Sequence, residues 1–313
     1  MRIAITGGTG FVGHHLARAL LGKGHTIVII ARGRDRHDPN VGRLSGVCFV
    51  ETGIGDQNAL ADAFSGCDAV VHCAGINRET RRATFQSVHI EGTRNVVRAS
   101  EQAGVRKITL VSFLRARPHC GSAYHESKWE AEEIVRQSNL NYTILKSGMI
   151  YGKGDHMLDH LSRSLHTLPF FATPGFSVKR IRPVAVEDVI RIIEASLCEG
   201  SLTNATVGIV GPDEITLDEA VRRVARVTGR RVMIFPLPVF FHYALARCLE
   251  PMMKIPLISR AQVRILEEEV IEAFPPCDQV TDKLRPTIQF SDEQIRLGLP
   301  EPRGFGIDDC PCL

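Results

Sequence analysis

The 313-residue chain has no apolar stretch approaching the ~20 residues that cross a bilayer, so no membrane span is expected. It has no charged leader followed by a long apolar run, and its first strand-like segment starts at residue 2; a secretory signal is not expected either. It has little excess charge of either sign. With 38 Lys and Arg against 35 Asp and Glu, the net charge is +3, which gives no reason to expect nucleic acid. It also lacks a disulfide framework. Nine cysteines is an odd number, and they are scattered (Cys48, Cys67, Cys73, Cys120 and onward). Several fall in strand-like runs, where a free thiol behaves as a small hydrophobe, so a reduced, cytoplasmic setting is expected. Cys310-Pro311-Cys312 reads as a frayed terminus carrying two thiols. No internal repeat or low-complexity segment is present. What remains is ordinary for a globular enzyme: 44% hydrophobic and 23% charged residues, enough for one large core plus a smaller lobe.

What is present begins at once. Ile3-Ala4-Ile5 reads as a buried strand, Gly7, Gly10 and Gly13 follow at three-residue spacing, and Phe11 to Leu21 continue with helical periodicity. Strand, glycine turn and helix in that order present a helix N-terminus to a pyrophosphate. Strands are expected at 2–6, 26–31, 47–51, 69–73, 107–112 and 141–146, and helices near 11–23, 57–64, 86–103 and 123–137. The strands are continuous apolar runs, as in Ala69-Val70-Val71, which implies burial on both faces of a parallel sheet. A helix at 187–198 and a strand at 205–210 return to that sheet. The expected architecture is α/β: a Rossmann-type doubly wound parallel sheet of about seven strands. Residues 1–150, completed by 182–211, form it; 151–181 and 212–313 form a smaller, largely helical lobe.

The end of the second strand selects the cofactor. Ala31 stands where an acidic residue would hydrogen-bond a ribose 2′-hydroxyl, and Arg32, Arg34 and Arg36 follow. With no carboxylate to repel a 2′-phosphate and Arg32 able to grip it, NADP(H) is expected, NAD being the alternative. Asp56, after the third strand, is placed to meet the adenine amino group. Cys73, Ala74 and Gly75 close the fourth strand with small residues where the cofactor would pass. Tyr124 and Lys128, four apart on a helix, share one face, and Ala131 and Val135 continue the stripe. A nearby ammonium is expected to lower the tyrosine pKa, fitting it to exchange a proton with a carbonyl or alcohol oxygen as hydride moves. Ser112 ends the fifth strand, where its hydroxyl could hold the substrate oxygen.

These residues resemble the short-chain dehydrogenase/reductase superfamily in its extended, epimerase/dehydratase-like branch. The features that carry the resemblance are TGGTGFVG at 6–13, VVHCAG at 70–75, HIEGTRNVV at 89–97, Ser112 with Tyr124 and Lys128, and TILKSGMIYGKGD at 143–155. SAYHESKWEAEE, IYGKGD and RPVAVEDV at 182–189 resemble the atypical group related to the NAD(P)H-binding accessory subunit of respiratory complex I. The resemblance covers about the first 210 residues. It implies cofactor contacts from Gly7, Thr9, Gly10, Phe11, Val12 and Gly13 of the turn, from Tyr124 and Lys128, and from Ser147, Met149 and Ile150 beside the nicotinamide. It implies Tyr124 as acid/base, Lys128 as its activator and ribose anchor, and Ser112 as oxyanion partner. Two positions depart from the pattern. His89 replaces an asparagine that supports a water-linked proton relay to the lysine, so a histidine either substitutes or breaks it. Lys146-Ser147 replaces the usual Arg-Pro.

The expected activity is hydride transfer at a carbonyl or alcohol of a small, lipophilic substrate lying between the sheet's carboxyl edge and the smaller lobe. An epimerase or dehydratase that retains its cofactor, and a nucleotide-binding accessory protein with little turnover, are the alternatives. The helices at 86–103 and 123–137 offer a face for a homodimer. Asp155-His156-x-x-Asp159-His160 has metal-like spacing but reads as polar helix surface, and no metal is expected. The segment Pro236-Leu237-Pro238-Val239-Phe240-Phe241, followed by Tyr243, Leu245 and Met252-Met253, is unusually apolar. It reads first as the small lobe's own core. Its alternative is a lipophilic lid or a peripheral membrane contact, with Arg247 and Lys254 reaching headgroups.

Overall fold

The structure is a computed structural model; it describes residues 1–33, 40–198, 201–253 and 257–306. Arg34, Arg36, Lys254 and the Cys310-Pro311-Cys312 tail therefore lie outside the described residues. In chain order the strands are β1 (Arg2–Thr6), β2 (Thr26–Ala31), β3 (Val47–Glu51), β4 (Ala69–His72), β5 (Lys107–Phe113), β6 (Asn141–Ser147), β7 (Ile150–Tyr151), β8 (Phe170–Pro174), β9 (Arg180–Ile181), β10 (Val184–Ala185), β11 (Ala205–Ile209), β12 (Ile215–Thr216), β13 (Met233–Leu237) and β14 (Asp278–Gln279). The α-helices are α1 (Phe11–Gly22), α2 (Gln57–Phe64), α3 (Gly92–Gln102), α4 (Ala123–Arg136), α5 (His156–Thr167), α6 (Val186–Cys198), α7 (Leu217–Val227), α8 (Val239–Met252), α9 (Arg260–Glu267) and α10 (Asp292–Gly298). The chain divides into two compact units: 1–147, 186–209 and 272–285 form the first, and 148–185, 210–271 and 286–313 the second.

The first unit is a Rossmann fold. Its strands run in the order β14-β11-β6-β5-β4-β1-β2-β3, and every pairing is parallel. The order reverses between β1 and β4, which opens a crevice at their carboxyl ends, where such sheets hold ligands. The apolar runs are buried as their composition requires: Ile3, Ala4 and Ile5, and Ile27 to Ile29, are fully inaccessible. On one face Val70, Ile108 and Ile144 pack with Leu60 and Phe64 of α2, Val96 of α3 and Val135 of α4. The sheet has an eighth strand beyond the seven legible in the sequence. Two-residue β14 gives almost no hydrophobic pattern, yet it pairs with β11, and residues 272–285 join this unit rather than the smaller lobe.

One helix also differs from its sequence reading. Residues 86–103 are not a single α-helix: Gln86–Glu91 is π-helical, and Gly92 N–H donates five residues back to Ser87 O before α3 continues. A Cβ on Gly92 would fall 2.3 Å from Ile54 Cδ1, so glycine lets that side chain lie close against the helix.

The second unit has its own core, in which Leu158 and Leu161 of α5, Val221 and Val224 of α7, Ile295 of α10, Tyr151 and Phe290 pack together. Its helices close their own ends. Asp155 caps α5, Thr216 caps α7, and Ser259 with Gln262 forms a capping box on α9. The metal-like run is part of this arrangement: Asp155 accepts from Gly152 N and Leu158 N, both at 2.6 Å. Helix α8 does not fill this core as its composition suggested. Phe240, Phe241 and Leu245 are exposed, while His242 and Ala246 are buried.

Candidate functional site

The glycine turn is held by the sheet. Gly7 has φ +69°, and its N–H donates to Ile30 O at the end of β2. A Cβ on Gly7 would lie 2.9 Å from the Ala74 backbone, and one on Gly13 would lie 2.3 Å from Gly7 O. The first glycine therefore allows the turn to pass β4, and the last allows α1 to start against it. Gly10 caps α1 without any side-chain hydrogen bond, and the first turn of α1 carries no acidic residue. The amide groups around Thr9, Phe11, Val12 and Gly13 thus face a helix end that no side chain caps, as a pyrophosphate site requires. Thr9 is buried, and His14 turns its Nδ1 onto Gly10 O at 3.0 Å.

At the adenosine end, the stem of Arg32 lies over Gly53, where a Cβ would be 3.5 Å from Arg32 Cδ. The register also sets Glu51 of β3 beside Ala31. β2 itself carries no carboxylate at this end; the cross-strand register supplies one. Asp56 accepts the Ala59 N–H at 3.0 Å as the N-cap of α2, so one of its oxygens already serves the helix.

Cys73, Ala74 and Gly75 follow β4 directly. A Cβ on Gly75 would come within 3.3 Å of Lys128 Nζ and 3.6 Å of His89 Nε2, so glycine leaves the ammonium uncovered. Burial pushes the Cys73 thiol up to about 12, which keeps it unreactive. His72 bridges Thr6 Oγ1 (2.6 Å) and Thr93 Oγ1 (3.1 Å), and burial, reinforced by Lys128, lowers it to about 3.

Lys128 donates to Val111 O at 3.4 Å. Burial lowers it to about 8, against the opposing pull of Glu132 and Cys73. Tyr124 precedes it by one turn, packed among the rings of Phe85, His89, Phe113 and His125 at centroid distances of 5.5 to 5.8 Å. The expected lowering of its pKa is not found. Burial pushes the phenol above its ordinary value, so Tyr124 stays protonated at neutral pH. Among the described residues, no group hydrogen-bonds the phenol oxygen.

His89 does not act as a spare relay. Its Nε2 accepts the Ile76 N–H at 3.1 Å, which leaves the hydrogen on Nδ1 to be given to Ser127 Oγ at 2.9 Å; Ser127 in turn donates to Tyr124 O. Burial, then Lys128, lowers the imidazole to about 2, so it stays neutral. Both ring nitrogens are committed, and His89 is a brace between the β4 loop and α4.

Ser112 is also committed. Its hydroxyl donates to Glu132 Oε1 at 2.5 Å. The oxyanion role expected of it needs that proton free. Glu132 is fully buried, 2.7 Å from Arg136 and 3.5 Å from Lys146, which is itself buried and donates to Ala116 O. The Lys146-Ser147 departure is thus part of an internal ion network at the end of β6, its ammonium 5.3 Å from the Trp129 ring centroid. Glu132 was missed in the sequence although Tyr124, Lys128 and Glu132 follow at i, i+4, i+8. The stripe was continued through Ala131 and Val135 on apolar character alone. Met149 and Ile150 belong to the second unit, where Ile150 pairs with Val184 and Met149 O accepts from Val184 N.

An uncapped helix end, a turn without side chains and an uncovered ammonium fit a bound dinucleotide. In agreement, residues 7–165 match the family model described as NAD(P)H-binding, and the chain belongs to that family. The chain is 32% identical over 239 residues to a ceramide reductase of Caulobacter vibrioides, covering 75% of this chain and 73% of that one. It is 28% identical over 244 residues to the mouse mitochondrial NADH dehydrogenase (ubiquinone) 1 alpha subcomplex subunit 9, covering 76% and 64%. It spans only 27% of the Mycobacterium tuberculosis proteins it matches at 27% identity. Among solved structures, UDP-glucose 4-epimerase of Thermus thermophilus with NAD has a TM-score of 0.70 at 22% identity, covering 95% and 97% of the two chains. No described helix is long and apolar enough to cross a membrane.

Proposed function

We propose that the protein is an NADP(H)-preferring oxidoreductase that reduces a carbonyl on a small, lipophilic substrate. The observation that carries this reading is the Tyr124–Lys128 pair: a protonated phenol whose oxygen bonds no described residue, one turn from a half-buried ammonium that Gly75 leaves uncovered. Reduced nicotinamide, when bound, supplies the hydride that reaches the carbonyl carbon. The chain supplies the proton. Tyr124 gives its O–H proton to the carbonyl oxygen, Lys128 steadies the resulting phenolate and holds the nicotinamide ribose, and solvent reprotonates the tyrosine. The similarity to a ceramide reductase supports a lipophilic substrate. Arg32 supports the 2′-phosphate form of the cofactor, while Glu51 beside Ala31 opposes it.

The test follows NADPH oxidation with a series of long-chain aliphatic ketones in mixed micelles. Tyr124→Phe is expected to lower kcat about a thousandfold, consistent with the loss of a positioned general acid, and to leave NADPH affinity within threefold. Oxidation no faster than in the Tyr124→Phe variant for every ketone overturns the enzymatic reading. For the cofactor, Arg32→Ala is expected to weaken NADPH binding about tenfold and NADH binding little; equal weakening of both removes the NADP preference.

One observation favours a second reading, that of a nucleotide-binding accessory protein. Ser112 donates its hydrogen bond to Glu132, and the mouse respiratory-complex subunit is a relative. That reading predicts that Tyr124→Phe leaves the cellular phenotype unchanged while Gly10→Val abolishes it.

A further inference from the structure

Helix α8 is amphipathic in the wrong direction for a core helix. Its polar side faces its own unit: His242 is buried with Nε2 3.2 Å from Ala172 O, Tyr243 donates to Glu267, and Glu250 pairs with Arg260 at 2.8 Å. Its apolar side faces outward. Phe240, Phe241 and Leu245 are 64%, 51% and 45% exposed, and Ala244 and Cys248 complete the stripe at helical spacing. The two phenylalanine rings stack with centroids 4.3 Å apart. The loop after β8 extends the patch: Gly175 N–H donates to Leu237 O just before α8, and the next residues include Phe176 and Val178, 75% and 67% exposed. Of the ten large hydrophobic residues most exposed among those described, seven lie between residues 170 and 245 of this unit, so the exposure is concentrated rather than scattered.

The surrounding charge says what would cover this face. Residues 230–269 contain six Arg and Lys and four carboxylates, Glu250, Glu267, Glu268 and Glu269, and these four are already paired: Glu250 with Arg260, Glu267 and Glu268 with Arg264, and Glu269 with Arg180. Arg247 is the charged residue on the outward side of α8 within its described side chains, and it is exposed. A helix face bearing paired aromatics, with an exposed arginine and no carboxylate on its outward side, has the chemistry of an interfacial helix on an anionic lipid surface.

We infer that the outer face of α8, with Phe176 and Val178, docks the protein on an anionic bilayer, the helix lying in the plane of the surface. Aromatic side chains enter the headgroup boundary, and the basic segment is drawn to lipid phosphates. The inference does not depend on the catalytic reading.

The experiment is vesicle flotation of the full chain with two lipid preparations, pure phosphatidylcholine and phosphatidylcholine mixed with phosphatidylglycerol. Partition is expected to be at least tenfold stronger on the anionic vesicles and to weaken with added salt. Phe240→Ser with Phe241→Ser is expected to lower it at least tenfold, and Arg247→Glu several-fold, both with NADPH affinity unchanged as the check that the chain is folded. No flotation, equal flotation on both preparations, or flotation indifferent to the paired substitution overturns the inference. So does sedimentation equilibrium showing a dimer that the paired substitution dissociates, because a second copy would then cover the face.

Discussion

Tyr124 and Lys128 occupy the first turns of α4, and Glu132 continues the same stripe one turn later, but the two ends of the stripe are satisfied in different ways. At one end, functional atoms are left available: a phenol oxygen without a partner among the described residues, and a half-buried ammonium that sits beside a glycine and donates to Val111 O at 3.4 Å. At the other end every charge is answered from within, Glu132 by Ser112, Arg136 and Lys146, and Lys146 also by Ala116 O. The difference separates a site from a scaffold. A loosely bonded, reachable pair next to a fully paired network is the place where a ligand can add contacts.

The largest effect expected from breaking this contrast is at the scaffold end. Glu132→Ala leaves Lys146 buried without its anion and should lower unfolding free energy by about 3–5 kcal/mol in urea titrations. Adding Lys146→Met should restore part of that loss, whereas Tyr124→Phe should change stability by under about 1 kcal/mol. If Tyr124→Phe proves as damaging to stability as Glu132→Ala, the two ends are not different in kind.

Next in size is Lys128→Met, expected to weaken NADPH binding roughly tenfold near neutral pH, of the order of one charge-assisted contact. In the native protein the ammonium is present below about 8 and lost above it, so affinity should fall as pH rises through that value. The variant should show no such limb in the same binding titration. Stability has the opposite sign. The folded-state pKa lies below the ordinary lysine value, so between about 8 and the lysine reference of 10.5 the unfolded chain holds more protons and stability rises with pH. Last comes Ser112→Ala, expected to cost about 0.5–1 kcal/mol of stability from the lost bond to Glu132, with kcat within threefold. A fall in kcat of a hundredfold at unchanged stability would return Ser112 to the oxyanion role.

The fold was legible because its signals are local. Ile3-Ala4-Ile5, the glycine spacing and the apolar strands are each readable within a few residues, and their observed bounds agree with the reading to within one or two positions. β14 was not legible, since two residues, Asp278 and Gln279, carry no periodicity, and only the β11 edge makes them a strand. The glycine turn and the Tyr124–Lys128 pair are legible by spacing. The commitments of Ser112 and His89 are not, because each depends on a partner distant in sequence: Glu132, 20 residues on, and Ser127, 38 residues on. Helix α8 misled for a different reason. An apolar stripe looks the same from sequence whether it faces inward or outward; only the burial of His242 and Ala246 fixes its direction.

The return of residues 272–285 to the first unit has a consequence for how the chain can be divided. The polypeptide passes between the units five times, at 147/148, 185/186, 209/210, 271/272 and 285/286. No single cut therefore releases either unit whole. A fragment ending at residue 271 would keep every glycine and site residue of the nucleotide half yet present β11 as a bare sheet edge, an invitation to pair with a neighbouring chain. Autonomy of the two halves, if sought by protein engineering, would have to be built by permuting the chain rather than by shortening it.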